Sequence, residues 1–206
     1  MKTNLVWNEL IKLAYQKRIS LSSYSLYATP NIHFDRETNT GRPFAYHVYG
    51  TGITTVTLDC LRGTYTIDSV KVVHDFGKSL NPVIDIGQVE GGIAQGIGWL
   101  TVEEVCHSNE GRLLSNSLST YKIPDIYAAP KEIEVCFLEN SENQYGPFNS
   151  KAIGEPPLMF GIGAYFAILN AMKAFRPEKD FEISAPLTSE KVLMNFYSKI
   201  DESVNV

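Results

Sequence analysis

Two short segments hold side chains whose type and spacing suit chemistry. The first is Ser150-Lys151-Ala152-Ile153-Gly154-Glu155-Pro156-Pro157-Leu158. A proline biases the residue before it away from helix, and a second proline adds further stiffness to the backbone. The sequence therefore predicts that the Glu155 carboxylate sits on a rigid, extended segment. Gly154 lets the backbone turn there or lets a ligand come close. Ala152, Ile153, Leu158 and Met159 are apolar, and apolar surroundings disfavour the charged form of a carboxylate. A fixed carboxylate in such a setting suits a general base. The plainer reading is an acid at a helix start or in an exposed loop, because glutamate is seldom buried.

The second segment runs from Asp85 to Trp99, DIGQVEGGIAQGIGW, with five glycines between Gly87 and Gly98. Each costs a helix about 1 kcal/mol relative to alanine, so something should offset them. Gly92 and Gly96 lie one turn apart on one face, where a backbone or a flat ligand can approach. Gln88 is expected at the helix N-terminus, where free N–H groups and the positive dipole end favour an anionic group such as a phosphate. Tight helix packing without any ligand would explain the same glycines.

Other candidates are weaker. Phe160-Gly161-Ile162-Gly163-Ala164 is half a dinucleotide fingerprint, without a preceding strand or a third glycine. His33-Phe34-Asp35 and His74-Asp75 are too isolated to make a metal site or a triad. Glu103-Glu104 reads as a solvated helix face, and LSSYSLYATP at 21–30 as a plain loop. Cys60, Cys106 and Cys136 are widely spaced and odd in number, which argues against a disulfide framework or a CxxC metal site and for reduced thiols in the cytoplasm. A net charge of −5 without a Lys/Arg cluster leaves no electrostatic footprint for nucleic acid. The start of the chain does not resemble a signal peptide, and no membrane partner is expected.

These residues must be positioned by a mixture of helices and strands. Trp7, Leu10, Ile11, Ala14 and Tyr15 form a helical stripe within residues 3–18, with Thr3 or Asn4 as N-cap. Residues 19–43 read as loop. Residues 44–58 and 64–76, rich in aromatic and β-branched types, read as strands joined in a hairpin through Asp59–Gly63. A long helix is expected from Asp85 to about Val105, a strand over 131–138, an apolar helix over 158–175 and a last helix over 188–200, capped by Thr188 or Ser189. Without a regular βαβ alternation, the class is α+β.

Taken together, SLNPVIDIGQVEGGIAQGIGW (79–99) and SKAIGEPPLMFGIGAYFAILNAMKA (150–174) resemble the C-terminal region of xanthine dehydrogenases and their relatives, the molybdenum hydroxylases. ETNTGRPFAYHVYG (37–50) and STYKIPD (119–125) resemble the same family in the same order, so the likeness covers residues 5 to 197. The resemblance implies that residues 1–206 are a C-terminal fragment of a molybdopterin-binding domain. It implies a molybdenum-molybdopterin cofactor whose metal takes no direct ligand from the protein. Glu155, the glutamate of GEPP, would be the catalytic base. It would take a proton from a water-derived oxygen that attacks an electron-poor purine carbon. Gln88 would touch the cofactor, with Gly87, Gly91 and Gly92 beside it. Electrons would leave through [2Fe–2S] clusters to FAD and NAD on other domains or subunits.

The departures shape the expectation. The family's molybdenum subunit is several times longer than this chain. Absent here are most of its pterin-holding loops, its substrate-clamping arginine and glutamate, and its cluster-binding cysteines, which three cysteines cannot supply. The chain is thus expected to be inactive alone and to complete a site shared with the remaining molybdenum-subunit segment, in a dimeric assembly. An aldehyde or N-heterocycle hydroxylase fragment and a non-catalytic assembly remnant are the alternatives.

Overall fold

A computed structural model describes residues 5–198. They divide into two compact units, one ending at Ala45 and one beginning at Tyr46.

The first unit holds helix α1 (Trp7–Gln16) and a short antiparallel hairpin of β1 (His33–Asp35) and β2 (Thr40–Arg42). The expected caps Thr3 and Asn4 lie outside the described residues. Val6 occupies the N-cap, and its N–H donates to the Glu9 carboxylate at 3.3 Å. The hairpin falls inside the stretch expected to be loop. Its turn is organised by Asp35, whose carboxylate accepts from the N–H groups of Glu37 and Thr38 and from the Thr38 hydroxyl, the usual way an aspartate folds a turn around itself. No described residue of this unit is buried.

The second unit is built on a three-stranded sheet in the order β3 (Gly50–Asp59), β4 (Thr64–His74), β5 (Glu132–Phe137). β3 and β4 form the expected hairpin, closed by Asp59 Oδ1 accepting from the N–H groups of Leu61 and Arg62. A bulge at Asp68 shifts the register. It lets both Ile67 and Val70 turn inward despite their odd spacing, because a bulge resets the alternation of faces. The extra residue is used: Asp68 accepts from the Thr57 hydroxyl and the Lys131 ammonium.

β5 lies parallel to β4. Parallel neighbours need a crossover, and α2 (Pro82–Thr101) provides it, a local βαβ arrangement within the α+β class. α2 begins three residues earlier than expected, with Asn81 as N-cap accepting from Ile84 N–H. The buried Asp85 carboxylate accepts from Ser79 Oγ and from the N–H groups of Leu80 and Asn81. α3 (Gly161–Phe175) follows a 3-10 helix at Pro156–Phe160, and α4 (Ser189–Tyr197) starts at the expected cap Thr188. Val89, Ile93 and Ile97 of α2 meet Ile67, Val70, Val72 and Ala164 in one core; Ile168, Leu169 and Met172 of α3 meet Leu187, Val192 and Phe196 in another. Pro156–Phe175 is long and apolar enough to cross a membrane by composition, but Ala164, Ile168 and Met172 spend its inner face on these cores.

Candidate functional site

The sheet's end, α2 and the GEPP segment converge. After β4, Asp75 and Phe76 lead to Gly77, whose φ of +64° suits glycine. The chain returning at 149–151 runs alongside it: Lys78 N–H donates to Asn149 O, and Lys151 N–H donates to Phe76 O at 2.7 Å. The buried Asn143 braces the same stretch, its amide donating to Ser150 O at 2.9 Å. Lys151 and Asp75 form an ion pair of 2.5 Å, with the two side chains only 9% and 1% exposed. Burial alone would push the Asp75 carboxyl up. The hydrogen bonds from Lys151, Gly77 N–H and Ser141 outweigh it and hold the carboxyl below its usual range.

Beyond Lys151 the segment crosses α2. A methyl group on Gly92 would lie 3.0 Å from Pro157 Cβ and 3.3 Å from Gly154 O, and one on Gly96 would overlap Leu158 O. These two glycines form a groove, and its occupant is the chain's own GEPP backbone. The close-approach reading of the Gly92 and Gly96 face therefore resolves to backbone on backbone. Gly92, also expected at the cofactor, has Pro157 and Gly154 on the side where a side chain would project.

Two further expectations change. Glu155 is not extended: its φ of −91° and ψ of −43° are helical, and it serves as the N-cap of Pro156–Phe160. Its carboxylate is exposed and accepts no hydrogen bond among the described residues, so the apolar enclosure inferred from its neighbours is not supplied by them; Met159 is itself 58% exposed. Gln88 is not at the helix N-terminus but in the second turn of α2. What places it near Glu155 is the crossing of the GEPP segment: a methyl on Gly154 would lie 3.2 Å from Gln88 Oε1. The two motifs, sixty-odd residues apart in sequence, meet here.

Two residues beside this junction were set aside in the sequence, and their place here was not foreseen. Phe160 covers Gly50 and Gly52 of β3, where added methyl groups would lie 2.6 and 3.0 Å from its ring. His74, 2% exposed, meets the rings of Phe76 and Phe160 edge-on at 4.5 and 5.3 Å, and neither of its nitrogens has a hydrogen-bond partner among the described residues. Burial holds this imidazole below its usual pKa, against the opposing pull of the Asp75 charge. The Gly50-Thr51-Gly52 alternation, which leaves one strand face bare, was the signal for Phe160.

The residues at the junction fit a bound molybdopterin. Methyl groups on Gly87 and Gly91 would meet nothing within 4 Å, so one edge of α2 is open to a flat ligand, and the exposed Gln88 amide stands between them. No cluster of three His, Cys, Asp or Glu side chains occurs among the described residues; a metal here would bring its own ligands.

Comparison with known proteins shows the family. Residues 1–130 match the family model of the molybdopterin cofactor-binding domain. The chain is 40% identical over 205 residues to xanthine dehydrogenase of Drosophila pseudoobscura pseudoobscura, covering 97% of this chain and 15% of that protein. Against xanthine dehydrogenase/oxidase of Felis catus it is 42% identical over 193 residues, covering 90% and 14%. The chain thus spans about 15% of the length of the curated relatives it matches. Among solved structures, aldehyde oxidoreductase from Desulfovibrio gigas superposes with a TM-score of 0.62 at 31% identity, over 79% of this chain and 17% of that one. CO dehydrogenase from Oligotropha carboxidovorans shares the fold, with a TM-score of 0.62 at 21% identity over 71% and 18%. The chain belongs to the molybdopterin cofactor-binding domain family.

Proposed function

We propose that this chain supplies the catalytic base and a cofactor contact to a molybdenum hydroxylase that oxidises xanthine or hypoxanthine. The observation that carries the reading is the meeting of Gln88 with Gly154, the residue directly before Glu155. In this reading Gln88, with the bare backbone at Gly87 and Gly91, holds the cofactor. When bound, the cofactor would supply the redox chemistry, accepting the hydrogen of the attacked carbon together with the two electrons of its C–H bond. The Glu155 carboxylate accepts the proton of the water-derived oxygen as it adds to the purine carbon. It accepts no hydrogen bond among the described residues, which leaves both oxygens available as acceptors. The water exclusion that such a base needs would come from the remaining molybdenum-subunit segment, so the chain alone is expected to be inactive. [2Fe–2S] and FAD domains or subunits would carry the electrons away, in a dimeric cytoplasmic assembly.

An aldehyde or N-heterocycle as substrate is the second reading, supported by the structural likeness to aldehyde oxidoreductase at 31% identity and to quinoline 2-oxidoreductase from Pseudomonas putida at 30%. The higher identity to xanthine dehydrogenases, 40–42%, favours the purine. Glu155→Gln in the assembled enzyme is expected to keep molybdenum and pterin content while turnover with xanthine falls roughly 10²- to 10⁴-fold. Unchanged turnover removes the base assignment, and preferential turnover of an aldehyde by the unaltered enzyme selects the second reading.

A further inference from the structure

We propose that His74, the last residue of β4, and Asp75, which follows it in extended backbone with its N–H donated to Tyr49 O, grip the Glu155 segment at both of its ends and so position the carboxylate; the proposal rests on reading Glu155 as the base. Successive side chains of a strand point to opposite faces. Asp75 takes Lys151, four residues before Glu155, through the buried 2.5 Å ion pair. His74, on the other face, packs against Phe160, five residues after Glu155. The first hold is directional. Lys151 is fixed at its ammonium by Asp75 and at its backbone by Phe76 O, while Asp75 is fixed in turn by Gly77 N–H at 2.9 Å. The second is a matter of shape: Phe160 fills the space that Gly50 and Gly52 leave bare and rests on the imidazole edge. Between these points Gly154 and Pro157 lie in the groove of Gly92 and Gly96, so the segment has little room to shift.

A buried ion pair is a poor device for stability, since a well-packed apolar pair often holds a fold as well. What it adds is a defined direction, and that is what a base needs: misplacement of about 1 Å can cost about 100-fold in rate. His74 and Asp75 touch neither substrate nor cofactor in this scheme. They are positioning residues.

The test uses the assembled enzyme with the double variant Asp75→Asn/Lys151→Met, which removes both charges and leaves neither stranded. Phe160→Leu, on the other arm, is the second variant. In the folded double variant kcat is expected to fall about 10- to 100-fold with KM little moved and molybdenum content kept. Amides of residues 152–159 should exchange faster with deuterated solvent. Phe160→Leu should show the same pattern more weakly, and it decides the matter by the same measurements if the double variant does not fold. Wild-type kcat overturns the proposal, as does slower turnover with wild-type exchange at 152–159. Glu155→Gln is measured alongside. Full turnover there removes the base reading itself, while its loss beside a wild-type double variant removes only the positioning role.

Discussion

His74 is the residue whose burial is hardest to justify by stability. Each buried nitrogen without a partner costs about 1–3 kcal/mol, and both of its nitrogens lack one. Because burial lowers its pKa, the unfolded chain binds a proton that the folded chain refuses. Stability is therefore intact above the unfolded value of about 6.5 and falls as pH drops below it, by up to about 1.4 kcal/mol per pH unit until the folded pKa is reached. Asp75, whose pKa is also lowered, loses its contribution only in the more acid carboxylate range, so the two windows separate. Urea midpoints at pH 7.5 and 5.5 should show a marked drop for the wild type and a much smaller one for His74→Leu; equal drops would remove His74 as the source. At this scale the sequence was legible in part. The GEPP and GQVEGG motifs named Glu155 and Gln88, because their spacing along the chain is enough to recognise them. The surroundings of Glu155 were not legible. Ala152 and Met159 are near it in sequence, but both are exposed, and sequence proximity says nothing of which face a 3-10 turn presents.

Within α2 the glycines divide by what they face, and the division is open to measurement. Gly96→Ala would drive a methyl into the Leu158 carbonyl oxygen, a backbone atom that cannot swing aside. It should destabilise the fold by roughly 1–3 kcal/mol or more, read as a lower thermal midpoint. Gly91→Ala enters open space and should stabilise the helix by about 1 kcal/mol. If Gly91 forms part of the cofactor cradle, that same variant should lose molybdenum and pterin in the assembled enzyme while its thermal midpoint rises. Full cofactor content would take Gly91 out of the site. The β3–β4 hairpin and α4 were readable because Asp59–Gly63 and Thr188 are local signals; α2 was readable too, though its start at Pro82, behind the Asn81 cap, was placed three residues late. The β1–β2 hairpin hid in a polar stretch because its strands are three residues each, too short to display alternation. The parallel pairing of β4 with β5 and the docking of GEPP on Gly92 and Gly96 depend on which distant segments lie side by side, and no local pattern encodes that.

At the scale of the whole molecule, the two units differ in how they are held. The unit from Tyr46 onward contains both cores, with Ile93, Ile168 and Met172 fully enclosed. None of the described residues up to Ala45 is buried: Trp7 is 72% exposed, Tyr24 90% and Leu26 82%. A helix of ten residues such as α1 is marginal in water without a packed face, yet its stripe of Trp7, Leu10, Ile11, Ala14 and Tyr15 is the kind that burial normally stabilises. The curated relatives are several times longer than this chain, and under the proposed function the remaining molybdenum-subunit segment would cover that stripe. Hydrogen exchange on the isolated chain should therefore show Trp7–Gln16 exchanging close to the unprotected rate, while Ile93–Ile97 and Ile168–Met172 open only with global unfolding. In the assembled enzyme the α1 amides should gain protection by several orders of magnitude, with the two cores little changed. Strong protection of α1 in the isolated, monomeric chain would mean that the stripe already has its partner and that no further segment is needed to fold it.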